Sequence, residues 1–150
     1  MQEGTAGSFD ALETYIGERF LVSTANKRRN KYGEFDLCLD YRGVYSVECH
    51  RRVLGHYSTV IRNAIDRSEA KSKERVLTLD LKKHLGPDLE EALFVAVDFM
   101  YFKEMMDVPS EMLFKVLRVA KCLNVVKVLE SACALLNPAT SEEWLWEAIQ

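Results

Sequence analysis

Apolar residues alternate strictly with polar ones in one part of the chain and recur at helical spacing in most of the rest. Between positions 35 and 49, two runs carry an apolar residue at every second position: Phe35, Leu37, Leu39 and Tyr41, then Tyr45, Val47 and Cys49. A period of two residues is typical of strands that bury one face. Arg42-Gly43 separates the two runs, and glycine tolerates positive φ, so the pattern predicts a β-hairpin.

Helical spacing predicts a first helix before the hairpin and two short helices after it. Ser8 is suited to cap the first helix, whose apolar stripe consists of Leu12, Tyr15, Ile16 and Phe20. A polar stretch over 23–33 follows that helix. After the hairpin, the pattern indicates helices over 50–57 and 59–67, with Ser58 as the cap of the second. A charged loop then leads into a third strand at 76–80.

The second half of the chain carries helical signals. Gly86-Pro87-Asp88 and Pro109-Ser110-Glu111 predict helix starts, because proline is tolerated in a first turn. Asn124 predicts a turn, since asparagine accepts the left-handed region, and a helix follows over 125–136. Ser141-Glu142-Glu143 opens a last helix. Strands first and helices later predict an α+β fold with a small three-stranded sheet, a cluster of helices and a helical C-terminal tail.

Charge and hydropathy exclude two classes of partner. The net charge is −3, whereas general nucleic-acid binders have a basic surface, so we expect no direct nucleic-acid contact. The basic run 27–31 has three interpretations: a localisation signal, a patch that binds anions, or a loop exposed to solvent. We favour the exposed loop, because no aromatic residues alternate with the basic ones. No apolar run reaches the roughly 18 residues that a membrane span requires, so we expect no membrane partner.

The cysteines indicate the compartment. The chain has Cys38, Cys49, Cys122 and Cys133, without a CxxC pair and without a glycosylation sequon. This usage favours free thiols in a reducing setting, so we expect a cytoplasmic or nuclear protein.

Cys49-His50 is the pair of residues that could carry chemistry. A zinc site needs about four ligands with close local pairs, which this region lacks. Neighbours on a strand point to opposite faces, so adjacency in sequence does not bring a thiol to its base. Cys49 falls on the apolar face, where cysteine is more often a small hydrophobic residue than a ligand. We expect no metal, no cofactor and no enzymatic activity.

Six segments, in this order and spacing, resemble the sequence motifs of a BTB/POZ domain. They are Asp36-Leu37-Cys38-Leu39, 47–54, 58–65, 76–80, Phe99-Met100-Tyr101 and 117–125. His50, Val53, Leu54 and Ser58 fall in the family's register without a gap. The resemblance implies a BTB fold over 34–136, with His50 as a structural residue at a helix start and Cys49 in the core.

The flanking segments resemble parts of longer members of that family. Residues 1–33 correspond to an N-terminal helix and linker, and this helix often mediates dimerisation. Residues 137–150 resemble the start of the BACK segment of Kelch-like adaptors, through Leu136-Asn137-Pro138 followed by Trp144-Leu145.

The resemblance also implies which residues face partners. For a homodimer interface it implicates the first helix and a charged pair: Leu12, Tyr15, Ile16, Phe20, Asp36 and Arg51. For a cullin-3 scaffold it implicates Val60, Glu69, Lys71 and Asn124. Glu69 and Lys71 occupy the positions where such adaptors often carry a hydrophobic-x-Glu motif, which this chain lacks.

Three functions follow from the resemblance, all of them protein binding. The first is a homodimeric substrate adaptor of a cullin-3 type ubiquitin ligase. The second is the dimerisation module of a transcription regulator that recruits a corepressor. The third is a BTB-only protein that acts as a scaffold or competes with adaptors. The adaptor is the interpretation we carry forward.

Overall fold

A small mixed sheet organises the first part of the computed structural model, which describes residues 18–105 and 107–136, with side chains from residue 24 onward. The middle strand is β1 (Leu37–Tyr41). It pairs antiparallel with β2 (Tyr45–Cys49) and parallel with β3 (Leu77–Asp80). The described strands thus form a three-stranded sheet, as the sequence predicted.

The alternating residues of the hairpin form the buried face of this sheet. Leu37 lies opposite Cys49 on one side and Leu77 on the other, and Leu39 lies opposite Val47 and Leu79. All six of these side chains are buried. Because side chains alternate between faces along a strand, this register places every apolar residue of the repeat on the same side. The turn at Arg42 and Gly43 has positive φ at both residues, of 56° and 75°.

Six helices are described and complete the α+β fold. They are α1 (Glu18–Tyr32), α2 (Arg51–Tyr57), α3 (Thr59–Lys71), α4 (Glu90–Phe102), α5 (Ser110–Leu123) and α6 (Val126–Ala134). Every residue from 92 to 101 is buried, so α4 is enclosed on all sides rather than along the single predicted stripe. Helix α5 packs between α4 and α6. The predicted α+β class is therefore confirmed.

The polar stretch over 23–33, predicted as a loop, is instead the last part of helix α1. From residue 24 onward the buried side chains of this helix are polar, because Thr24 and Arg28 lie one turn apart and both are buried. The Arg28 guanidinium lies 5.8 Å from the Phe35 ring centroid and 5.5 Å from that of Tyr101. Its Nη2 donates to the Glu48 carbonyl at 3.1 Å. Cation–π contacts therefore hold a helix that hydrophobic periodicity does not reveal.

Two predicted cap residues are confirmed. The Ser58 side chain accepts the backbone N–H of Ile61 at 3.0 Å and so caps α3. Asn124 ends α5 in the left-handed region, with φ of 54° and ψ of 57°. Helix α3 extends four residues past the predicted end, to Lys71, so the charged loop before β3 is shorter than predicted.

Several predictions lie outside the described residues. These are the positions of Leu12, Tyr15 and Ile16, the side chain of Phe20, and the segment 137–150. Among the described helices, none has both the length and the apolar character for crossing a membrane.

Candidate protein-interaction surface

Cys49 and His50 are both buried and do not form a reactive pair. The Cys49 thiol donates to the Val47 carbonyl, with a sulfur–oxygen distance of 3.7 Å. Burial raises the pKa of the Cys49 thiol far above its usual range, so the group stays protonated and is not a nucleophile. Within the described part of the chain, no group of three or more His, Cys, Asp or Glu residues could hold a metal ion.

His50 joins the end of α1 to the middle of the fold. Its Nε2 lies 3.0 Å from the Gly33 carbonyl oxygen, and its Nδ1 lies 2.6 Å from the Tyr101 hydroxyl. A carbonyl only accepts, so Nε2 carries the proton and Nδ1 accepts from the hydroxyl. Burial, chiefly, raises the pKa of Tyr101, which keeps that hydroxyl protonated. The rings of Tyr32 and Phe35 pack against the imidazole, with centroids 5.6 and 5.1 Å away. His50 is therefore a structural residue, as the resemblance implied.

The predicted charged pair of Asp36 and Arg51 is in contact within the chain. Asp36 Oδ1 accepts the Arg51 backbone N–H at 2.8 Å, so the carboxylate satisfies the first turn of α2. Arg51 Nε donates to the Asp36 carbonyl at 2.9 Å and lies 4.0 Å from the carboxylate. Whether this pair also lies at a dimer interface stays a prediction.

Arg51 also binds Glu69, which sequence reasoning assigned to a different surface. Its Nη1 lies 2.7 Å from Glu69 Oε2, and its Nη2 donates to the carbonyls of Glu74 and Arg75 at 2.8 and 3.0 Å. Both side chains of the ion pair are partly exposed, at 20% for Arg51 and 45% for Glu69, so solvent screens the charge–charge term. The main effect of Arg51 is therefore on geometry and not on charge energy. Its guanidinium holds the end of α3 and the loop before β3 in fixed positions.

Two hydrogen bonds join α3 to the turn between α5 and α6. The fully buried Ser58 hydroxyl donates to the Leu123 carbonyl at 2.6 Å. One residue further on in each element, Asn124 Nδ2 donates to Thr59 Oγ1 at 2.7 Å. The start of α3 and the α5–α6 turn therefore form one continuous surface.

An open groove, here called the α3–α6 groove, lies beside this junction and encloses about 540 Å³. Its apolar lining includes Tyr57, Phe99 and Val126, and Val126 is 53% exposed. Among the described residues, its polar lining contains two lysines and one histidine but no carboxylate. The described lining consists of His56, Tyr57, Thr59, Phe99, Lys103, Asn124, Val126 and Lys127. An apolar floor with a polar rim is typical of protein-binding surfaces.

A second groove, here called the α3–β3 groove, lies between α3 and the end of β3 and encloses about 280 Å³. Val60 lines it, together with Arg67 from α3 and residues 79 to 81. The lining residues of the two grooves do not overlap.

The four residues predicted to face a cullin thus lie in different places. Asn124 lines the α3–α6 groove, and Val60 lines the α3–β3 groove. Glu69 is bound to Arg51, and Lys71 is exposed at the end of α3. Sequence reasoning did not identify Tyr57, Val126 or Lys127 as parts of this surface. The sequence did offer one signal for Val126, because it is an apolar residue that directly follows the predicted turn at Asn124.

Comparison with known proteins supports the fold and leaves the family membership open. No protein-family model and no curated protein matches the chain. Among solved structures, the BTB domain of zebrafish PATZ1 matches with a TM-score of 0.51 and 18% identity. The match covers 98% of this chain and 97% of that one. The chain therefore has the fold of a BTB domain.

Proposed function

We propose that this chain is a homodimeric protein-interaction module that acts as a substrate adaptor of a cullin-3 type ubiquitin ligase. The observation that carries the proposal is the α3–α6 groove. It lies where the resemblance to BTB domains places the cullin surface, and Asn124, one of the residues implicated there, lines it. The described part of this groove offers apolar and cationic contacts, which are features of a binding surface.

The walls of the groove are already held in place before a partner arrives. The Thr59–Asn124 hydrogen bond spans residues 65 positions apart, and the Ser58–Leu123 bond lies directly beneath it. Helix α3 and the α5–α6 turn therefore need little rearrangement on binding. Pre-organisation of this kind reduces the entropic cost of association, so a modest contact area can give useful affinity.

The groove must supply most of the cullin affinity, because the loop motif of typical adaptors is missing. Glu69 occupies one of its two positions and is engaged by Arg51 at 2.7 Å. Lys71 is exposed and occupies the other position, so a cation stands where the motif has the carboxylate of its glutamate. We infer that cullin contacts centre on Tyr57, Asn124 and Val126 instead.

A calorimetric titration with the N-terminal domain of cullin-3 tests the proposal. We expect a dissociation constant in the micromolar range or below, equivalent to about 8 kcal/mol or more. Val126→Asp should weaken binding at least about tenfold, because it places a charge on the apolar part of the groove. Aspartate is tolerated in the first turn of α6, so folding should be kept.

Val44→Asp is the matched control, since Val44 is 44% exposed at the hairpin turn, outside both grooves. It should bind cullin-3 as the unmodified chain does. Absence of heat with the unmodified chain, or equal weakening by the two aspartate variants, would contradict the proposed surface.

The homodimer is tested by charging the first apolar stripe. Leu12→Asp combined with Ile16→Asp should convert the dimer to a monomer, because charged side chains are costly to bury in an apolar interface. Light scattering should therefore report half the mass of the unmodified chain. The Val44→Asp variant should keep the dimer mass. A dimer mass for the double variant would show that the first helix is not the interface.

The contact between Asp36 and Arg51 fits a second candidate equally well, a dimerisation module that recruits a corepressor. The resemblance places this pair near the dimer interface of the family, and here Arg51 Nε lies 4.0 Å from the Asp36 carboxylate. The same two experiments separate the candidates. Dimerisation without any cullin-3 binding would favour the corepressor module over the adaptor.

A further inference from the structure

We propose that the α3–β3 groove binds an acidic linear peptide that inserts an apolar side chain between α3 and β3. This site is separate from the α3–α6 groove and does not depend on cullin binding. An apolar floor, a basic rim and the position of β3 at an edge of the described sheet favour this ligand.

The floor of the groove is apolar and small. Five aliphatic side chains from α3 and from the end of β3 line it: Val60, Ile61, Ala64, Leu79 and Leu81. Its volume of about 280 Å³ lies just below the roughly 300–1,000 Å³ of pockets that hold whole small molecules. The groove is therefore large enough for one or two side chains of a partner.

The rim of the groove is basic, although the whole chain carries a net charge of −3. Arg67 borders it from α3, and Lys83 and His84 border it from the turn after β3. Lys71 continues the same face of α3 one turn beyond Arg67. Charge complementarity therefore favours a partner with several carboxylates.

Among the described lining residues, the one carboxylate is outnumbered by the cations. Asp80 Oδ1 accepts the backbone N–H of Lys82 at 2.9 Å. The two cations Arg67 and Lys83 therefore stand against a single negative charge, one oxygen of which is already hydrogen-bonded. A peptide with glutamate or aspartate on both sides of an apolar residue would supply the missing charges.

The edge of the sheet favours an extended ligand over a folded one. Among the described strands, β3 pairs with β1 on one side and with no strand on the other. Residues 79 to 81 of this edge line the groove. An extended peptide can lie along such an edge and place alternate side chains into an adjoining pocket.

Fluorescence anisotropy with a labelled acidic peptide tests the site. The probe is the fluorescein-labelled heptapeptide Glu-Asp-Glu-Leu-Glu-Asp-Glu, titrated with the full chain at low and at physiological salt. We expect saturable binding that weakens as salt rises. Replacing the central leucine of the probe by serine should weaken binding at least about fivefold, because the apolar floor loses its occupant.

Two kinds of variant distinguish binding in the α3–β3 groove from nonspecific electrostatic attraction between the peptide and the protein. Arg67→Glu with Lys83→Glu should lower the affinity at least about tenfold. Lys103→Glu with Lys127→Glu makes the same change in net charge in the other groove and should leave the affinity within about twofold. Ala64→Leu fills the floor without changing charge and should also weaken binding, with circular dichroism confirming that each variant is folded.

Three results would overturn the proposal. They are no saturable binding by the unmodified chain, equal weakening by the two charge-reversed variants, and equal affinity for the leucine and serine probes. If the Arg67 and Lys83 variant does not fold, Ala64→Leu and the serine probe decide the question alone.

Discussion

Replacing His50 by alanine is expected to destabilise the protein by about 4–8 kcal/mol. The imidazole is 3% exposed and packs among the rings of Tyr32, Phe35 and Tyr101, so its removal leaves a cavity. Truncation of a buried aromatic side chain costs about 3–5 kcal/mol on its own. It also removes the ring nitrogen that lies 2.6 Å from the buried Tyr101 hydroxyl and leaves that hydroxyl only its hydrogen bond with the backbone of residue 50, at a further cost of about 1–3 kcal/mol.

Urea denaturation followed by circular dichroism measures this loss directly. Domains are stable by about 5–15 kcal/mol, so the variant should unfold at much lower urea or fail to fold. His56→Ala is the control, because His56 is exposed and should change stability by no more than about 0.5 kcal/mol. Tyr101→Phe removes the hydroxyl alone and should lose about 1–3 kcal/mol. A His50→Ala loss below about 1 kcal/mol would refute the structural role of this residue.

The hairpin could be predicted from sequence because its information is local. Each of Leu37, Leu39 and Val47 is buried by its position in the alternation, and a register shift of one residue would expose the whole set. The cap at Ser58 and the left-handed turn at Asn124 are local as well, since each depends on the preference of a single side chain.

Helix α1 could not be predicted to its end because its buried side chains from residue 24 onward, Thr24 and Arg28, are not apolar. Arg28 is 4% exposed, yet in sequence it belongs to a basic run that usually faces solvent. Its position depends on Phe35, from the segment leading into β1, and Tyr101, from α4, which only the folded chain brings together. Long-range contacts of this kind override local pattern.

The grooves combine residues that are distant in sequence, which explains why the candidate surface was only partly predicted. Asn124 was implicated by resemblance, but its hydrogen bond to Thr59 and its position beside Tyr57 and Val126 required the fold. Likewise, Arg51 and Glu69 were assigned to two different surfaces, and the structure joins them in one ion pair. Arg51 therefore links Asp36, before β1, to Glu69, near the end of α3.

A second large effect is expected at Asp98, whose contribution to stability should be smaller at neutral pH than at mildly acidic pH. Asp98 lies in α4, is 7% exposed, and has an Oδ1 atom without a hydrogen-bond partner among the described residues. Burial raises the pKa of this carboxyl to about 6, against the opposing influence of the nearby Arg28 and Lys27 cations of α1.

The direction of the effect follows from proton binding. Because the folded-state pKa of Asp98 lies above its unfolded value, the folded state binds more protons between these two values. The contribution of Asp98 to stability is therefore highest below the unfolded pKa and declines as the pH rises toward about 6. From pH 4 to pH 7 the decline amounts to about 2–3 kcal/mol, as one pKa unit corresponds to about 1.4 kcal/mol.

Asp98→Asn removes the charge and should therefore remove this decline. At pH 7 the variant should be more stable than the unmodified chain by about 1–3 kcal/mol, since the buried amide still lacks some partners. The difference in unfolding free energy between the two proteins should shrink toward pH 4, where the Asp98 carboxyl is protonated in the folded state. Urea denaturation at pH 4, 5, 6 and 7 measures this difference, with Asp66→Asn on the exposed face of α3 as the control.

A difference that stays constant across these four pH values would show that Asp98 is ionised in the folded protein throughout. The Arg28 guanidinium would then be its compensating charge, and α1 would be held to α4 by that ion pair.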